Sequence, residues 1–256
     1  MHAVPFDPKA EPALLERLVE AARLAAVGRL VASVVHQMST PLAAISLRAE
    51  SLEQSLQSGA APGDRALRYS RAIFEEAGRC RQIMTAMREF GGPLDRREEL
   101  VDVPALCRSA ALLAKDEAAR RQIQIELKAD SPVGPVRGVK TRLGQAVLAL
   151  LLNALDASPA GEQVTLEVTA AGDSVLVTVA DRGHGLSDAA RALLFEPFAS
   201  TRPPEGGLGL GLLACRAVAE AHGGSVEAAG EAQGSRFLLR LPLAARRGAE
   251  VPDARS

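Results

Sequence analysis

Apolar residues recur at Val27, Val31, Val34, Met38, Leu42, Ile45, Leu52 and Leu56, mostly three or four apart, as the buried seam of a long helix requires. The pattern predicts one helix over 11–57, with a local bend at Pro41, which cannot give a backbone N–H to the carbonyl of Gln37. The breaker-rich run 58–64 (Ser-Gly-Ala-Ala-Pro-Gly-Asp) predicts a turn, and a second helix follows from about Arg65 to Glu89. A helical hairpin with an apolar stripe on each arm cannot bury both stripes alone. Pairing of two copies into a four-helix bundle, a homodimer, is the simplest solution.

From Leu100 to Leu243 the periodicity becomes mixed. Ala105–Leu113, Leu143–Asp156 and Leu212–Ala221 have helical spacing, whereas Ile123–Leu127, Val164–Val168, Ser174–Val179 and Arg236–Leu241 alternate as half-buried strands do. This order predicts a two-layer α/β sandwich, with helices over one face of a mixed sheet. The fold class is thus α plus α/β. The same patterns divide the chain into a dimerising helical hairpin over 1–90, a linker over 91–99 marked by Gly91-Gly92-Pro93 and a charged run, an α/β domain over 100–244, and a polar, frayed tail over 245–256.

On the first helix His36 turns away from the seam. It lies about 200° from both Val34 and Met38 at 100° per residue, and Thr40 returns to nearly the same bearing. His36 and Thr40 therefore share an exposed face. One histidine alone reads most simply as a surface residue; the second half of the chain changes that reading.

Four segments there form a set: Gln145 to Ala157, containing Asn153; Asp181-Arg182-Gly183-His184-Gly185-Leu186; Phe195-Glu196-Pro197-Phe198; and Gly206-Gly207-Leu208-Gly209-Leu210-Gly211-Leu212. In order and spacing they resemble the N, G1, F and G2 boxes of sensor histidine kinases, and Val35-His36-Gln37-Met38-Ser39-Thr40-Pro41-Leu42 resembles their H box. The resemblance covers roughly residues 24–244. It implies the ATP-binding fold shared with gyrase, heat-shock chaperone and mismatch-repair ATPases, and the same homodimer that the hairpin pattern predicts.

What the resemblance implies for chemistry is specific. His36 accepts the γ-phosphoryl group of ATP and passes it to an aspartate on a response-regulator receiver domain. Asn153, an amide costly to bury on an apolar helix face, matches the ligand of Mg²⁺ bridging the ATP phosphates. Asp181 matches the acceptor of the adenine amino group, with Gly183 and Gly185 letting the backbone approach the base. Gly207, Gly209 and Gly211 enter the helix near Leu212, where backbone amides can cradle phosphate; no Walker pattern is present. Phe195 and Phe198 would pin the lid, His184 reads as a lid residue, and Arg202 as a solvated arginine. Thr40 matches the position that in related kinases positions water for dephosphorylating the regulator.

Two residues depart from the family pattern. The position after the phosphoacceptor is usually glutamate or aspartate, thought to draw the proton from the imidazole; here it is Gln37, which cannot act as a base. General-base assistance is worth about 10²–10⁴-fold, so slow autophosphorylation and a phosphatase-biased enzyme follow as expectations, and Gln37→Glu should speed the reaction. Ala149 stands where a second asparagine is often found, four residues before Asn153. Together they support a rival reading, a catalytically weak phosphotransfer or scaffold protein that docks a regulator. A serine kinase of the anti-sigma type shares the ATP fold but has no use for the hairpin carrying His36.

Composition narrows the rest. With 30 basic and 31 acidic residues, net −1, no global field exists to hold nucleic acid or an anionic membrane. No run approaches the roughly 18 apolar residues of a spanning helix, and the N-terminus lacks a signal-peptide core, so a soluble, cytoplasmic protein is expected. Cys80, Cys107 and Cys215 show no metal-like spacing. Cys80 falls in the seam of Ile73, Ala77, Met84 and Met87 as core filler, although its surroundings loosely resemble the second helix of some redox-responsive kinases. No sensory domain is visible before residue 11; the input comes from a separate sensory protein, or the chain is a piece of a longer one.

Overall fold

The computed structural model describes residues 12–57, 64–91, 97–129, 132–187, 191, 193–196, 210–230 and 233–244. All but Asp64 of the predicted turn over 58–64, most of the linker, Phe198, Arg202, Gly206, Gly207, Gly209 and the tail from 245 lie outside them. Helix α1 spans Pro12–Gln57 and α2 spans Asp64–Gly91, forming the hairpin. Pro41 is buried inside α1, which continues through it as one helix. Ser39 Oγ donates to the Val35 carbonyl at 2.8 Å and Thr40 Oγ1 to the His36 carbonyl at 3.4 Å, the back-bonding that lets hydroxyl side chains sit in a helix and bend it.

The expected seam is only partly covered by the chain itself. Val31, Leu42 and Leu56 of α1 and Met84 of α2 remain exposed, as do Leu47, Leu67 and Phe74 outside that seam, whereas Cys80, Ile83 and Ala86 are buried. A second contact was not legible in the periodicity. Leu15, Leu18, Ala21 and Ala22 of α1 pack on Leu210, Leu213 and Ala214, so the first third of the long helix lies against the sandwich rather than standing free.

The sandwich is built from β1 Glu99–Val101, α3 Val103–Arg120, β2 Gln124–Lys128, β3 Val136–Gly138, α4 Lys140–Ala157, β4 Gln163–Ala171, β5 Ser174–Ala180, α5 Gly211–Ala221, β6 Ser225–Gly230 and β7 Ser235–Pro242. The main sheet has the order β2-β4-β5-β7-β6; β2 and β4 run parallel and the other pairs antiparallel, so the sheet is mixed as expected. Alternation sets which face is covered. Leu166, Val179 and Phe237 lie in register across three strands, as do Val168, Val177 and Leu239, all at most 1 % exposed. Against them pack Leu143, Val147, Leu150, Leu151 and Leu155 of α4, with Leu106, Ala110 and Leu113 of α3 and Cys215 and Val218 of α5 in the same core.

Local chemistry fixes the helix ends. Asp102 caps α3 by accepting from the Ala105 amide at 2.9 Å, with Pro104 in the first turn. Helix α4 has no side-chain cap of its own at Val139; instead His222, at the end of α5, accepts the Val139 amide on Nε2 at 3.0 Å and donates from Nδ1 to the Val218 carbonyl at 2.7 Å. Arg121 joins the far ends of α3 and α4, reaching Glu117 at 2.8 Å and Asp156 at 2.7 Å. Burial alone would raise the Glu117 carboxyl, but hydrogen bonds from Arg121 and Arg120 outweigh it and hold it below its usual range. The stability this adds is present above the unfolded carboxyl range and is lost as pH falls through the lowered value.

Cys107 and Cys215 are fully buried, and burial pushes both thiols up to about 12. Thiolate is the reactive form. Titration of the native chain with a thiol-exchange reagent at pH 8 should therefore leave these two unreacted until denaturant is added, with Cys80, 9 % exposed, the only one of the three to label slowly. Rapid labelling of two or more thiols would contradict the packing.

Candidate functional site

Helix α4 organises one site. Ala149, Asn153 and Ala157 fall four residues apart, on one stripe of the helix, about 12 Å from first to last at 1.5 Å per residue. Each end of the stripe meets a glycine of a different segment. At the C-terminal end Gly183 crosses so close that a Cβ there would lie 2.3 Å from the Ala157 carbonyl oxygen. At the other end a Cβ on Gly211, the first residue of α5, would lie 3.7 Å from Ala149 Cβ. Half-buried Asn153 sits midway between the Asp181–Gly185 turn and the start of α5.

Asp181 follows β5 directly and is 4 % exposed. Its Oδ1 accepts the amides of Gly183 at 2.9 Å and Ser235 at 3.2 Å, and its Oδ2 accepts Ser235 Oγ at 2.5 Å. The Asp181 amide donates to the Ser235 carbonyl at 2.9 Å. A buried carboxylate held this way is fixed in direction, and Oδ2, with one bond accepted, keeps a lone pair for a further donor. This acceptor thus fits an exocyclic amino group beside the turn. Gly183 was expected to open space for a base; the contact with Ala157 shows that the helix end already requires glycine there. Gly185, at φ +74°, sits in the left-handed region, and exposed His184 bonds the Gly185 carbonyl through Nδ1 at 3.1 Å.

Among the described residues no cluster of three His, Cys, Asp or Glu side chains could hold a metal ion, so a divalent cation here would rest on the Asn153 amide oxygen and on phosphate oxygens of the nucleotide. Phe195 is half-buried against the core, with the Arg216 guanidinium 5.4 Å from its ring centroid.

His36 forms a second, separate cluster. It is exposed on α1 beside exposed Thr40, as the helical wheel predicts. The hairpin lies against α3, where Gln37 Nε2 donates to the Leu113 carbonyl at 3.4 Å. One turn along α3, Asp116, Ala119 and Arg120 line a cleft of about 380 Å³ together with His36. Sequence reasoning missed Ser235, Asp116, Arg120 and His222. Ser235 belongs to the site only because β7 pairs with β5, a long-range register; Asp116 and Arg120 carry no motif and become visible only through the packing of α1 on α3.

Residues 26–91 match the family described as His Kinase A (phospho-acceptor) domain, and residues 138–245 that described as Histidine kinase-, DNA gyrase B-, and HSP90-like ATPase. The sensor histidine kinase ZraS of Escherichia coli strain K12 is 30% identical over 224 residues, covering 86% of this chain and 46% of that protein. The sensor protein FixL of Bradyrhizobium diazoefficiens is 30% identical over 237 residues, 90% of this chain and 46% of that protein. The chain thus spans just under half the length of these relatives. Among solved structures, full-length ShkA in complex with AMPPNP shares the fold over 85% of this chain and 46% of that one, at 24% identity and a TM-score of 0.53. The nucleotide-free catalytic domain of histidine kinase ThkA does so over 57% and 97%, at 23% identity and a TM-score of 0.52.

Proposed function

Because the chain belongs to the histidine kinase family, as a phosphoacceptor domain joined to an ATP-binding domain, we propose that it phosphorylates His36 from Mg-ATP and hands the phosphoryl group to an aspartate of a response-regulator receiver domain. The observation that carries this reading is the α4 stripe, where one helix presents Ala157 to the Asp181 turn, Asn153 at its middle and Ala149 to the start of α5. Adenine would lie at the Asp181 end, its amino group donating to Oδ2, and the phosphates would lie toward Gly211. Mg²⁺, held by Asn153 and the phosphates, would offset the charge that develops in transfer.

The chain's own residues do the rest. Exposed His36 offers its imidazole as nucleophile to the γ-phosphate. The exposed apolar residues of α1 and α2 support a homodimer, in which Val31, Leu42, Leu67 and Phe74 would be covered by a second copy. The seam should then give a dimer mass in light scattering, and Leu42→Glu with Phe74→Glu a monomer; a wild-type monomer would contradict this.

A phosphatase activity toward the same regulator is supported by Thr40, which shares the exposed face of His36. Thr40→Ala should retain autophosphorylation within about threefold while slowing dephosphorylation of a phosphorylated receiver domain by about tenfold or more. Equal loss of both activities would make Thr40 merely structural. The scaffold reading predicts no nucleotide binding, and the satisfied geometry of Asp181 argues against it. No helix among the described residues is long and apolar enough to cross a membrane.

A further inference from the structure

The ATP-binding domain rests on α1 over one long stretch of that helix. Leu15, Leu18 and Ala22, spaced by three and four, share one helix face and, with Ala21, pack on Leu210, Leu213 and Ala214 at the start of α5. Ala22, Leu210 and Leu213 are buried by this contact. Between them the Glu20 carboxyl is held below its usual range, first by its hydrogen bonds with Arg23 and also by the charge of Arg142 in the first turn of α4. Further along, Ala26 and Val34 pack against the sandwich core, and Gln37 Nε2 donates to the Leu113 carbonyl of α3 at 3.4 Å. The glutamate usual at position 37 could not donate that bond. These contacts fix where the phosphates stand relative to His36. Ala22 ends the stretch that holds the start of α5, and it lies about 21 Å along the helix from His36 at 1.5 Å per residue. Phosphoryl transfer needs the reacting atoms about 3–3.5 Å apart. Sliding the domain along α1 would break every contact from Leu15 to Gln37, so this docked arrangement is a resting one.

We propose that the apolar contact between Leu15, Leu18 and Ala22 of α1 and the start of α5 is an autoinhibitory latch, which holds the phosphate end of the nucleotide site away from His36. Autophosphorylation begins only once the latch opens. The inference rests on the reading of His36 as phosphoacceptor and of the start of α5 as the phosphate end. A domain held in the resting arrangement is competent only for the fraction of time it is released, and the measured rate scales with that fraction. Weakening the contact therefore raises the rate without touching the chemistry. Anything that takes this face of α1 away from α5 activates the chain.

The test is single-turnover autophosphorylation of the full chain at saturating Mg-ATP. Leu15→Glu with Leu18→Glu places two carboxylates against Leu210 and Leu213 and should raise the rate by about tenfold or more, with the ATP concentration for half-saturation within about threefold of wild type. Arg17→Glu puts a carboxylate on the exposed side of the same turn and should label at the wild-type rate. An equal gain from Arg17→Glu overturns the inference, since charge on the helix end and not the contact would then set the rate. If the double variant no longer binds ATP, Leu18→Ala decides: it only thins the contact and should raise the rate by about threefold or more. A rate at or below that of wild type in whichever variant binds ATP overturns the inference. If neither wild type nor these variants give acid-labile label, the phosphoacceptor reading fails and takes the inference with it. Label in wild type at a rate the variants leave unchanged sinks this inference alone.

Discussion

Gly234→Ala is expected to destabilise the ATP-binding domain severely, although it adds only one methyl group. Gly234 stands at φ +94°, a backbone conformation that L side chains rarely adopt, and its Cβ would fall 1.9 Å from the carbonyl oxygen of Asp181. Both atoms in conflict belong to or adjoin main chain, so no rotamer change relieves it. The strands β5 and β7 would have to part where Asp181 and Ser235 exchange backbone and side-chain hydrogen bonds. Strained φ alone costs about 1–3 kcal/mol, and breaking part of this network brings the loss to roughly 4 kcal/mol or more. At about 2–4 °C per kcal/mol, the thermal midpoint should fall by about 8–16 °C by circular dichroism. A midpoint within about 2 °C of wild type would contradict the close approach.

Asp181→Asn should leave the fold nearly intact and remove nucleotide binding. The amide oxygen can keep the amides of Gly183 and Ser235, and the amide nitrogen can donate to the Ser235 hydroxyl, so the internal bonds survive in altered polarity. What cannot survive is the free acceptor on Oδ2, because an NH₂ group replaces it and would meet the adenine amino group donor to donor. Losing one bond and leaving a buried donor unpaired costs about 3–4 kcal/mol, or about 10²–10³-fold in affinity. Calorimetric titration with ATP should show that loss, alongside a preference for ATP over GTP that narrows, since the guanine carbonyl can accept from the new amide. Unchanged ATP affinity with unchanged stability would remove Asp181 from the proposed adenine site.

Both predictions concern residues whose roles were unequally visible in the chain. The long helix, the α/β sandwich and the order of strands β2, β4, β5 and β7 along the chain follow from period alone, because each strand places Val, Ile, Leu or Phe at every second position over a single covered face. Strands β1 and β3 are three residues each, too short for alternation to speak, and β6, Ser-Val-Glu-Ala-Ala-Gly, is an edge strand of small residues with little apolar signal. Asp181 and Asn153 stand out through their boxes, whereas Ser235, the partner of Asp181, does not, since strand pairing between residues 54 apart leaves no local trace. The close approach of Gly183 to the end of α4 was not legible, because it joins two segments about 26 residues apart. The docking of Leu15, Leu18 and Ala22 on α5, and the cleft joining His36 to Asp116, arise from surface complementarity between units, which no periodicity encodes.

The proposed function turns on His36 accepting phosphate from ATP bound along α4. Purified wild type and His36→Ala, each given γ-labelled Mg-ATP and then exposed to acid, decide whether it does. Wild type should carry label that acid removes, as it removes phosphate from histidine, while His36→Ala should carry none and bind ATP with equal affinity. Label that survives acid, or that persists in His36→Ala, would contradict the proposal.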